Sequence, residues 1–533
     1  MKKFLCSVLV LILLVSCNSV KKYNEQTTKL HAVEDLRNDI DKVYGQLKKN
    51  HPKLYQYISK EDLDFKFDSL KTSIKHPINS RDFYKKLAPV IRFVRQGHIS
   101  VGSVNKRFTK KERKLLKKKK FQFYNLDFEY LNRKLWVTNA RGEDSLLIGS
   151  EVVKIADELA TDLVERYKTR FASDGYNETL YNRYVGKGFR YFYYKDKGFL
   201  DSLTITFKLK DSLFNKTFKR IEKDKKQDSI ADKKKEAKVK KPKLTKTEKK
   251  NNRIAAKIKR KKDRKYGFIS KDKGYTRNFK FLEADSTVAY MKIKAFGNRN
   301  YKKFYKESFA KLDSAKTKNV IIDLRDNGGG RIAEIDYLYS YLTQENYQLI
   351  TKSEVNSRFP MMKSFLSNGN SPILKALGVL LVFEPLSLTV QYLNTKKIDD
   401  KIYFKMKYNK FRKPKPLNYK GNLYVLINGN SFSASSLIST HLKANKRAIF
   451  VGEETGGAYN GCVAGFYKLY KLPTSKLKIR MGLMQIETLH KQNPDGYGIK
   501  PDVEILPTIE DRKLKKDPEL EWVLAHINKK KHS

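Results

Sequence analysis

Hydrophobic residues recur at helical spacing in the first part of the chain. Over residues 31–110 the apolar positions follow a period of three to four residues, which predicts a helical region. Gly97 interrupts this pattern, and Ile99 and Val101 then alternate with polar residues as in a strand. The helical region is therefore expected to end in a short extended segment that contains His98.

A pattern of short strands fills residues 115–215. The segment Ser145–Ile155 resembles the strand-turn-strand of a PDZ domain, with an expected helix at Thr161–Tyr167 and a closing strand at Leu203–Phe207. PDZ domains bind extended chain ends by adding a strand to a sheet edge. Because the sequence has no clear glycine-rich carboxylate loop, a small β module used only for packing stays open as the alternative.

Strands and helices alternate over residues 271–510, which predicts an α/β core within an α+β multidomain chain. A capping Asp517 followed by proline predicts a last helix within residues 511–533. The apolar run Ile373–Phe383 is too short to span a bilayer and is expected to be buried. The predicted core strands are apolar runs bounded by turn residues: Ala289–Ile293, Asn319–Leu324, Leu423–Ile427 and Ala448–Gly452.

Charge adds a question about partners. The 533 residues carry a formal net charge of +56, and such a field attracts anionic lipid, nucleic acid or acidic polymers. The sequence has no nucleic-acid-binding motif, so no specific nucleic acid is expected. Lysines are densest in residues 216–270, which are predicted to form a disordered or loosely helical insertion. For residues 216–266, contact with anionic lipid or polymer and simple solvation both stay open.

The N-terminus resembles that of an exported lipoprotein. A positive start and an apolar run over Phe4–Val15 predict a signal segment, residues 1–16. The sequence Leu-Val-Ser-Cys ending at Cys17 matches the lipobox of bacterial lipoproteins, so Cys17 is the predicted lipidation site. Two acyl chains anchor a protein stably where one does not. The expected location is the cell envelope, on the periplasmic or outer face, with residues 17–30 as a polar tether.

Two segments of the core carry candidate chemistry. In Asn428–Ile438 a strand is followed by a turn, and a helix begins at a group of serines. There the Ser433 hydroxyl lies at the positive end of the helix dipole, and the Ala434 amide is free to stabilise an oxyanion. Alone, this segment is more typical of a serine that caps an ordinary helix. The segment Asp323–Gly330 ends in three glycines whose amides can approach a bound group, although no Walker motif follows.

Together with Val451–Gly457, these motifs resemble the tail-specific, or C-terminal-processing, serine protease superfamily. The resemblance covers about residues 31–110 and 276–525 and implies a crotonase-like protease core. It implies that Ser433 is the nucleophile. It also implies an oxyanion hole formed by the amides of Gly328 or Gly329 and of Ala434.

One departure selects a branch of that superfamily. Processing proteases place a lysine base at the position occupied here by Ala458. The tricorn-like branch instead uses serine, histidine and an acid, and the resemblance then implies His98 as the base and Asp495 as the acid. His490 stays open as a rival base and Glu487 as a rival acid, since Asp is shorter than the Glu of that branch.

The resemblance implies a serine peptidase that acts on peptide or protein substrates and needs no cofactor or metal. A histidine base predicts that kcat/KM rises through roughly pH 6 to 7.5. Two alternatives stay open: a non-catalytic binding protein on the same scaffold, and a basic envelope adhesion lipoprotein.

Overall fold

The structure is a computed structural model that describes residues 19–223, 245–270, 273–297, 300–382 and 385–532. The predicted signal segment and Cys17 lie outside the described residues, as do residues 224–244 of the lysine-rich stretch. Within the described part of the chain, no helix is both long and apolar enough to cross a membrane.

Residues 31–110 are mostly helical, as predicted. Apolar residues at helical spacing pack inward from these helices onto a long strand of the core, Lys478–Ile486. The segment predicted as a tether is largely a helix whose first turn is capped by the Ser19 hydroxyl, which accepts a hydrogen bond from the Lys22 amide at 3.1 Å. The elements are α1 (Val20–Thr28), α2 (Val33–Asn50), α3 (Lys60–Thr72), α4 (Ser80–Arg92) and β1 (Ser100–Gly102).

An antiparallel β module follows, with two helices packed on a seven-stranded sheet. The predicted helix and closing strand are present, but the long helix α7 between them was not predicted. Likeness to a PDZ domain stays a prediction. The elements are α5 (Lys110–Lys118), β2 (Lys119–Phe121), β3 (Asp127–Leu131), β4 (Lys134–Asn139), β5 (Glu151–Ile155), β6 (Glu158–Leu159), α6 (Ala160–Lys168), α7 (Thr179–Lys197), β7 (Ser202–Leu209) and β8 (Ser212–Glu222). The strand order is β2-β8-β7-β5-β4-β3, with β6 on β5.

In its described parts the lysine-rich stretch has regular secondary structure, in line with the helical alternative of the prediction. Its first residues belong to β8, and Lys246–Tyr266 forms a helix, α8. Thr245 and Glu248 cap this helix reciprocally, and Gly267 ends it in a left-handed conformation. Lysine, arginine and alanine are good helix formers, so a capped run of them needs little burial to be helical.

The α/β core is centred on a six-stranded sheet of order β11-β12-β13-β17-β18-β21, parallel except for the pair β11 and β12. A small ribbon pairs β9 with β10. The elements up to the helix that follows Ser433 are β9 (Phe268–Ile269), β10 (Gly274–Tyr275), β11 (Arg277–Phe281), β12 (Val288–Ile293), α9 (Tyr301–Ser314), β13 (Asn319–Asp323), α10 (Ile332–Tyr339), β14 (Ser353–Val355), α11 (Pro360–Phe365), α12 (Pro372–Val382), α13 (Pro385–Leu393), β15 (Thr395–Ile398), β16 (Lys401–Phe404), β17 (Asn422–Ile427) and α14 (Ala434–Ala444).

A second sheet joins the N-terminal helices to this core. Its order is β1-β20-β14-β16-β15, with β19 also paired to β20. Short β1 lies antiparallel to β20, with Ser100 opposite Arg480, and so carries the end of the helical region to the core. The remaining elements are β18 (Ile449–Gly452), β19 (Cys462–Lys471), β20 (Lys478–Ile486), β21 (Val503–Glu504), α15 (Ile509–Leu514) and α16 (Pro518–His532).

The apolar run predicted to be buried is only partly buried: Ala376 is 7% exposed, but Ile373, Leu374 and Leu377 are exposed by 66%, 41% and 46%. It forms α12, which packs on α11 and makes a helical hairpin with α13; α11 in turn contacts β19. In α13, Leu386 and Leu393 are exposed by 74% and 69% of their surface. Periodicity cannot distinguish a buried apolar helix from an exposed one, because both present the same run of residues.

Candidate active site

Three loops meet at one edge of the core sheet. The strands β13, β17 and β18 are parallel, so their carboxyl ends lie together. The glycine loop follows β13, the segment with Ser433 follows β17, and Thr455–Gly457 follows β18. The topology thus brings together all three motifs singled out in the sequence.

Ser433 adopts an unusual backbone conformation immediately before α14. Its φ of 58° and ψ of −117° are rare for a residue with a side chain and carry strain. Hydrogen bonds to the glycine loop hold it there: the Phe432 amide and the Ser435 hydroxyl both donate to the Asn327 carbonyl, at 3.0 and 2.8 Å. The strained turn directs the Ser433 side chain away from its own helix, as a nucleophile requires.

His98 lies against Ser433. Its Nε2 is 3.0 Å from the Ser433 Oγ, while its Nδ1 is 3.4 Å from the Tyr467 hydroxyl. The Arg480 guanidinium stacks on the Tyr467 ring at 3.6 Å. Burial, and then the positive charge of Arg480, lower the pKa of His98 to about 3. The imidazole is therefore neutral over the physiological pH range and can accept a proton from Ser433.

Contacts on both sides of His98 fix its position. After it, β1 pairs with β20; before it, the Gly97 amide donates to Oδ1 of Asp174 at 2.7 Å. A Cβ atom at position 97 would lie 2.5 Å from the Phe432 ring, so only glycine allows this approach. The Gly-His pair noted in the sequence is thus explained by packing against the residue that precedes Ser433.

Asp174 is a buried carboxyl group in the cavity beside Ser433, and it was not among the predicted site residues. Burial raises its pKa to about 7, against the opposite effect of the Gly97 and Ala458 amides, which hydrogen-bond to the carboxylate. Its segment also joins the third loop, because the Asn177 side chain donates to the Thr455 carbonyl at 3.0 Å. The polar Ser-Asp-Gly sequence at 173–175, between two helices, was the available signal.

Asp495 does not form the predicted contact with His98. Its carboxylate accepts hydrogen bonds from the Gln56 side chain at 2.9 Å and from the Tyr57 hydroxyl at 3.4 Å. Gln56 in turn accepts one from the Gln96 side chain at 3.0 Å, two residues before His98. The connection from Asp495 to His98 is therefore indirect, and a part for Asp495 in catalysis stays a prediction.

The backbone amides predicted for the oxyanion hole differ in whether they already have an acceptor, and their role stays a prediction. The Gly329 amide already donates to the Asn327 side chain at 2.9 Å, and Gly328 does not line the cavity. Gly330 lines it together with Ser433 and Ala434. Within the described residues, the Gly330 and Ala434 amides have no acceptor, so this pair is available to a developing oxyanion.

The rival residues lie elsewhere. His490 packs against the His441 ring at 5.1 Å, in a separate cleft, and not against Ser433. Glu487 accepts hydrogen bonds from Gln485 at 2.7 Å and Lys491 at 2.5 Å. Ala458 lines the cavity as expected for the position of the missing lysine, and no lysine lines that cavity in the described part of the chain.

The cavity beside Ser433 measures about 350 Å³ and has largely apolar walls. The Cys462 thiol lies against the Ser433 hydroxyl, and burial raises the pKa of that thiol well above its usual value. Across the described ranges, no group of three or more His, Cys, Asp and Glu residues is arranged to hold a metal ion. The apolar side chains that line the cavity are Ile332, Met406, Leu437, Phe466, Met484 and Ile486.

Comparison with known proteins identifies the core. Residues 287–505 match the model of peptidase family S41. This segment, which holds Ser433 and the glycine loop, is similar to the serine peptidases of that family. The fold is similar to that of mature CPAF complexed with lactacystin, at 15% identity over 91% of this chain and 96% of that chain, with a TM-score of 0.57. A second structure, of mature CPAF, is similar at 14% identity over 90% of this chain and 94% of that chain, with a TM-score of 0.56.

A third structure, the photosystem II D1 C-terminal processing protease, matches at 12% identity over 88% of this chain and 93% of that chain, with a TM-score of 0.41. No curated protein matches the sequence.

Residues of the Asp323–Gly330 motif also stabilise the fold. Asp323 accepts a hydrogen bond from Arg325 at 2.8 Å, and Arg325 donates another to Asp517, just before α16. The motif thereby attaches the last helix to the sheet edge that carries the site.

Proposed function

We propose that this chain is a serine peptidase that cleaves peptide bonds in the cell envelope by acyl transfer to Ser433, with His98 as general base. The distance of 3.0 Å between His98 Nε2 and Ser433 Oγ supports this most directly. A serine hydroxyl is a weak nucleophile until an adjacent base accepts its proton. The neutral imidazole of His98 is the proposed base. Ser433 lies in a strained turn at a helix N-terminus, where its hydroxyl meets that imidazole.

In the proposed reaction, His98 accepts the Ser433 proton as Oγ attacks the substrate carbonyl carbon. The Ala434 and Gly330 amides donate to the oxyanion of the tetrahedral intermediate. His98 then donates its proton to the leaving amine, and a water molecule, deprotonated by His98, hydrolyses the acyl ester. For Nε2 to accept, the Nδ1 of neutral His98 carries the proton, and the Tyr467 hydroxyl oxygen is its acceptor.

We infer that Asp174 supports the imidazolium formed during attack. It is a buried carboxylate that binds the amide next to His98, and it lines the cavity. Once ionised, Asp174 places a negative charge near His98. That charge favours the imidazolium, whereas the positive charge of Arg480 disfavours it. We call Asp174 a positioning residue, because it acts through the Gly97–His98 backbone.

The cavity walls suggest which peptides are cleaved. A side chain entering beside Ser433 meets Leu437, Met484 and other apolar groups, so an apolar residue next to the scissile bond is the proposed preference. A peptide series that varies only that residue tests this. We expect Leu, Met or Phe to raise kcat/KM at least about tenfold over Asp or Lys.

The proposed location depends on Cys17. Wild-type protein is expected to take up labelled fatty acid and to partition with membranes. A Cys17→Ala protein that still incorporates label would end the lipoprotein proposal.

A fluorophosphonate probe tests the acyl-transfer proposal, since it reacts with an activated serine. We expect labelling at Ser433, mapped by mass spectrometry, and none in Ser433→Ala. Labelling of Ser431 or Ser435, or no labelling of a folded protein, would contradict it; the second outcome would favour a non-catalytic binding protein.

A further inference from the structure

The exposed hairpin α12–α13 lies next to a cluster of positive charges. The turn before α12 is fixed on the β19–β20 ribbon, because Lys478 Nζ donates to the Gly369 carbonyl at 2.7 Å and the Asn368 side chain donates to the Lys471 carbonyl at 2.9 Å. Burial, and then the charges of four neighbours, lower the pKa of Lys471; these neighbours are Lys476, Lys478, Arg107 and Lys375. The five cations therefore share one end of the ribbon.

Few acidic side chains offset these cations. The sequence has no Asp or Glu from 455 to 486, and only Glu384 from 355 to 398. The carboxylate of Asp39 does reach the ribbon turn, but it is buried and accepts hydrogen bonds from the Thr474 and Ser475 amides. The surface therefore combines exposed leucines with a net positive rim.

We propose that this surface, the α12–α13 hairpin with its rim of cations, docks on a phospholipid bilayer that carries anionic headgroups. Helices of 11 and 9 residues are too short to span the hydrocarbon core, but they are long enough to lie in the interface with their apolar side chains among the acyl chains. Lysine and arginine beside such a helix bind anionic headgroups. A second copy of the chain is a poorer partner, because it would bring like charges together.

The position of the N-terminus supports this assignment. Helix α1 lies at the same end of the ribbon: Asn24 and the Arg107 backbone exchange two hydrogen bonds at 2.8 and 2.9 Å, and the Gln26 side chain donates to the Thr474 carbonyl at 3.1 Å. Cys17 is two residues before Ser19, so the chain keeps it within about 7 Å of Ser19. A lipid on Cys17 and the hairpin would thus face the same membrane.

Docking here would also orient the active site. Strand β19 runs from Cys462, beside Ser433, through Tyr467 to Lys471 at the cation cluster. The Ser364 hydroxyl of α11 donates to the Tyr467 carbonyl at 2.7 Å, so the hairpin and the His98 side of the site are attached to one strand. A docked hairpin would therefore fix how far the cavity lies from the bilayer, up to about 30 Å, which is the length of β19 at about 3.3 Å per residue.

The test uses vesicles and a background of Cys17→Ala, so that no acyl chain contributes and any binding by the N-terminal segment is common to all variants. The apolar variant is Ile373→Ser with Leu386→Ser and Leu393→Ser. Its matched control changes three similarly exposed leucines elsewhere, Leu146, Leu213 and Leu514, to serine. Partition is measured by flotation with vesicles of equal parts phosphatidylcholine and phosphatidylglycerol, at high salt that screens simple charge attraction.

We expect the apolar variant to lose at least about tenfold in partition coefficient and the control to match the background protein. A charge variant, Lys375→Glu with Lys471→Glu, should lose several-fold on the same vesicles at low salt and nothing on pure phosphatidylcholine. Its control, Lys249→Glu with Lys257→Glu, lies on α8. Cleavage of a soluble peptide and the melting temperature establish that each variant is folded.

Equal partition of the apolar variant and the background protein would overturn the proposal. So would a loss in the α8 control equal to that of the hairpin charge variant, which would indicate general charge attraction. Sedimentation velocity tests a second copy of the chain as the partner. If the background protein self-associates without binding vesicles, and the apolar variant no longer self-associates, the surface is assigned to a second copy. Because fluorophosphonate labelling of Ser433 is a separate measurement, failure of docking and failure of the peptidase proposal are distinguishable.

Discussion

The two sides of the active site are held by different kinds of contact. On the Ser433 side, neighbouring parallel strands of the core sheet end side by side, and hydrogen bonds join the loops that follow them. On the His98 side, a short strand and a single glycine amide are held by the β module and by the β19–β20 ribbon. The Ser433 side is therefore held within one sheet of the core, whereas the position of His98 depends on packing among the N-terminal region, the β module and the ribbon.

The largest expected effect is on the Ser433 side. Ser433→Ala removes the nucleophile and should lower kcat on the order of 10⁴-fold or more, with little change in melting temperature. Ser439→Ala on the same helix is the control, because Ser439 is buried and its hydroxyl has no hydrogen-bond partner in the described residues. A Ser433→Ala protein with measurable turnover would mean that another residue reacts.

Removal of the base should have the next largest effect. His98→Ala leaves the Ser433 proton without an acceptor and should lower kcat/KM on the order of 10³-fold. His490→Ala serves as control and should retain wild-type kinetics, since that ring packs on His441. The reverse order of effects would transfer the role of base to His490.

Asp174→Asn should lower kcat/KM on the order of tenfold to a hundredfold and should change the pH profile of kcat/KM. Asp174 has a pKa of about 7, so its carboxyl is protonated below neutrality and ionised above, and the ionised form supports the imidazolium. With a pKa of about 3, His98 stays neutral from pH 5 to 8 and contributes no rise of its own. Wild-type kcat/KM should therefore rise through about pH 7.

In Asp174→Asn the amide cannot ionise, and kcat/KM should be flat over the same range. This assigns the predicted rise to the carboxyl of Asp174 instead of to the imidazole. A profile for Asp174→Asn that keeps the rise would return the titration to His98. Asp157→Asn is a suitable control, because that aspartate is exposed in a turn of the β module.

Tyr467→Phe should have a smaller effect, roughly a few-fold to tenfold on kcat with KM unchanged. It removes the acceptor of the Nδ1 proton but keeps the ring on which Arg480 stacks. Steady-state kinetics on one soluble peptide separate the two constants. A rise in KM alone would place Tyr467 in substrate binding.

Asp495→Asn should have the smallest effect, within a few-fold, because Asp495 reaches His98 only through Gln56 and Gln96. The amide can still accept a hydrogen bond from Gln56, so the melting temperature should change little. A loss comparable with that of His98→Ala would instead restore the direct serine-histidine-aspartate triad that the sequence predicts. Gln56→Ala in the same assay measures the indirect route.

Much of the nucleophile side could be predicted from the sequence. The strand before Asn327, the strand before Ser433 and the glycine loop are contiguous motifs whose residues contact each other where parallel strands end. The family resemblance also singled out His98, whose imidazole lies against Ser433, while its role as base stays a prediction. It could not show that Gly329 uses its amide internally, because that depends on where the Asn327 side chain points.

The sequence by itself determined the α/β core, the order of its strands along the chain and the residue at the nucleophile turn. These follow from local periodicity, turn residues and motif spacing, which act over a few positions. Only the tertiary structure decided that Asp174 and Tyr467 flank His98, that Asp495 reaches His98 only through Gln56 and Gln96, and that the hairpin α12–α13 exposes leucines. Each of these depends on contacts between segments far apart in the chain, and an apolar or acidic residue carries no local signal of which segment it will meet.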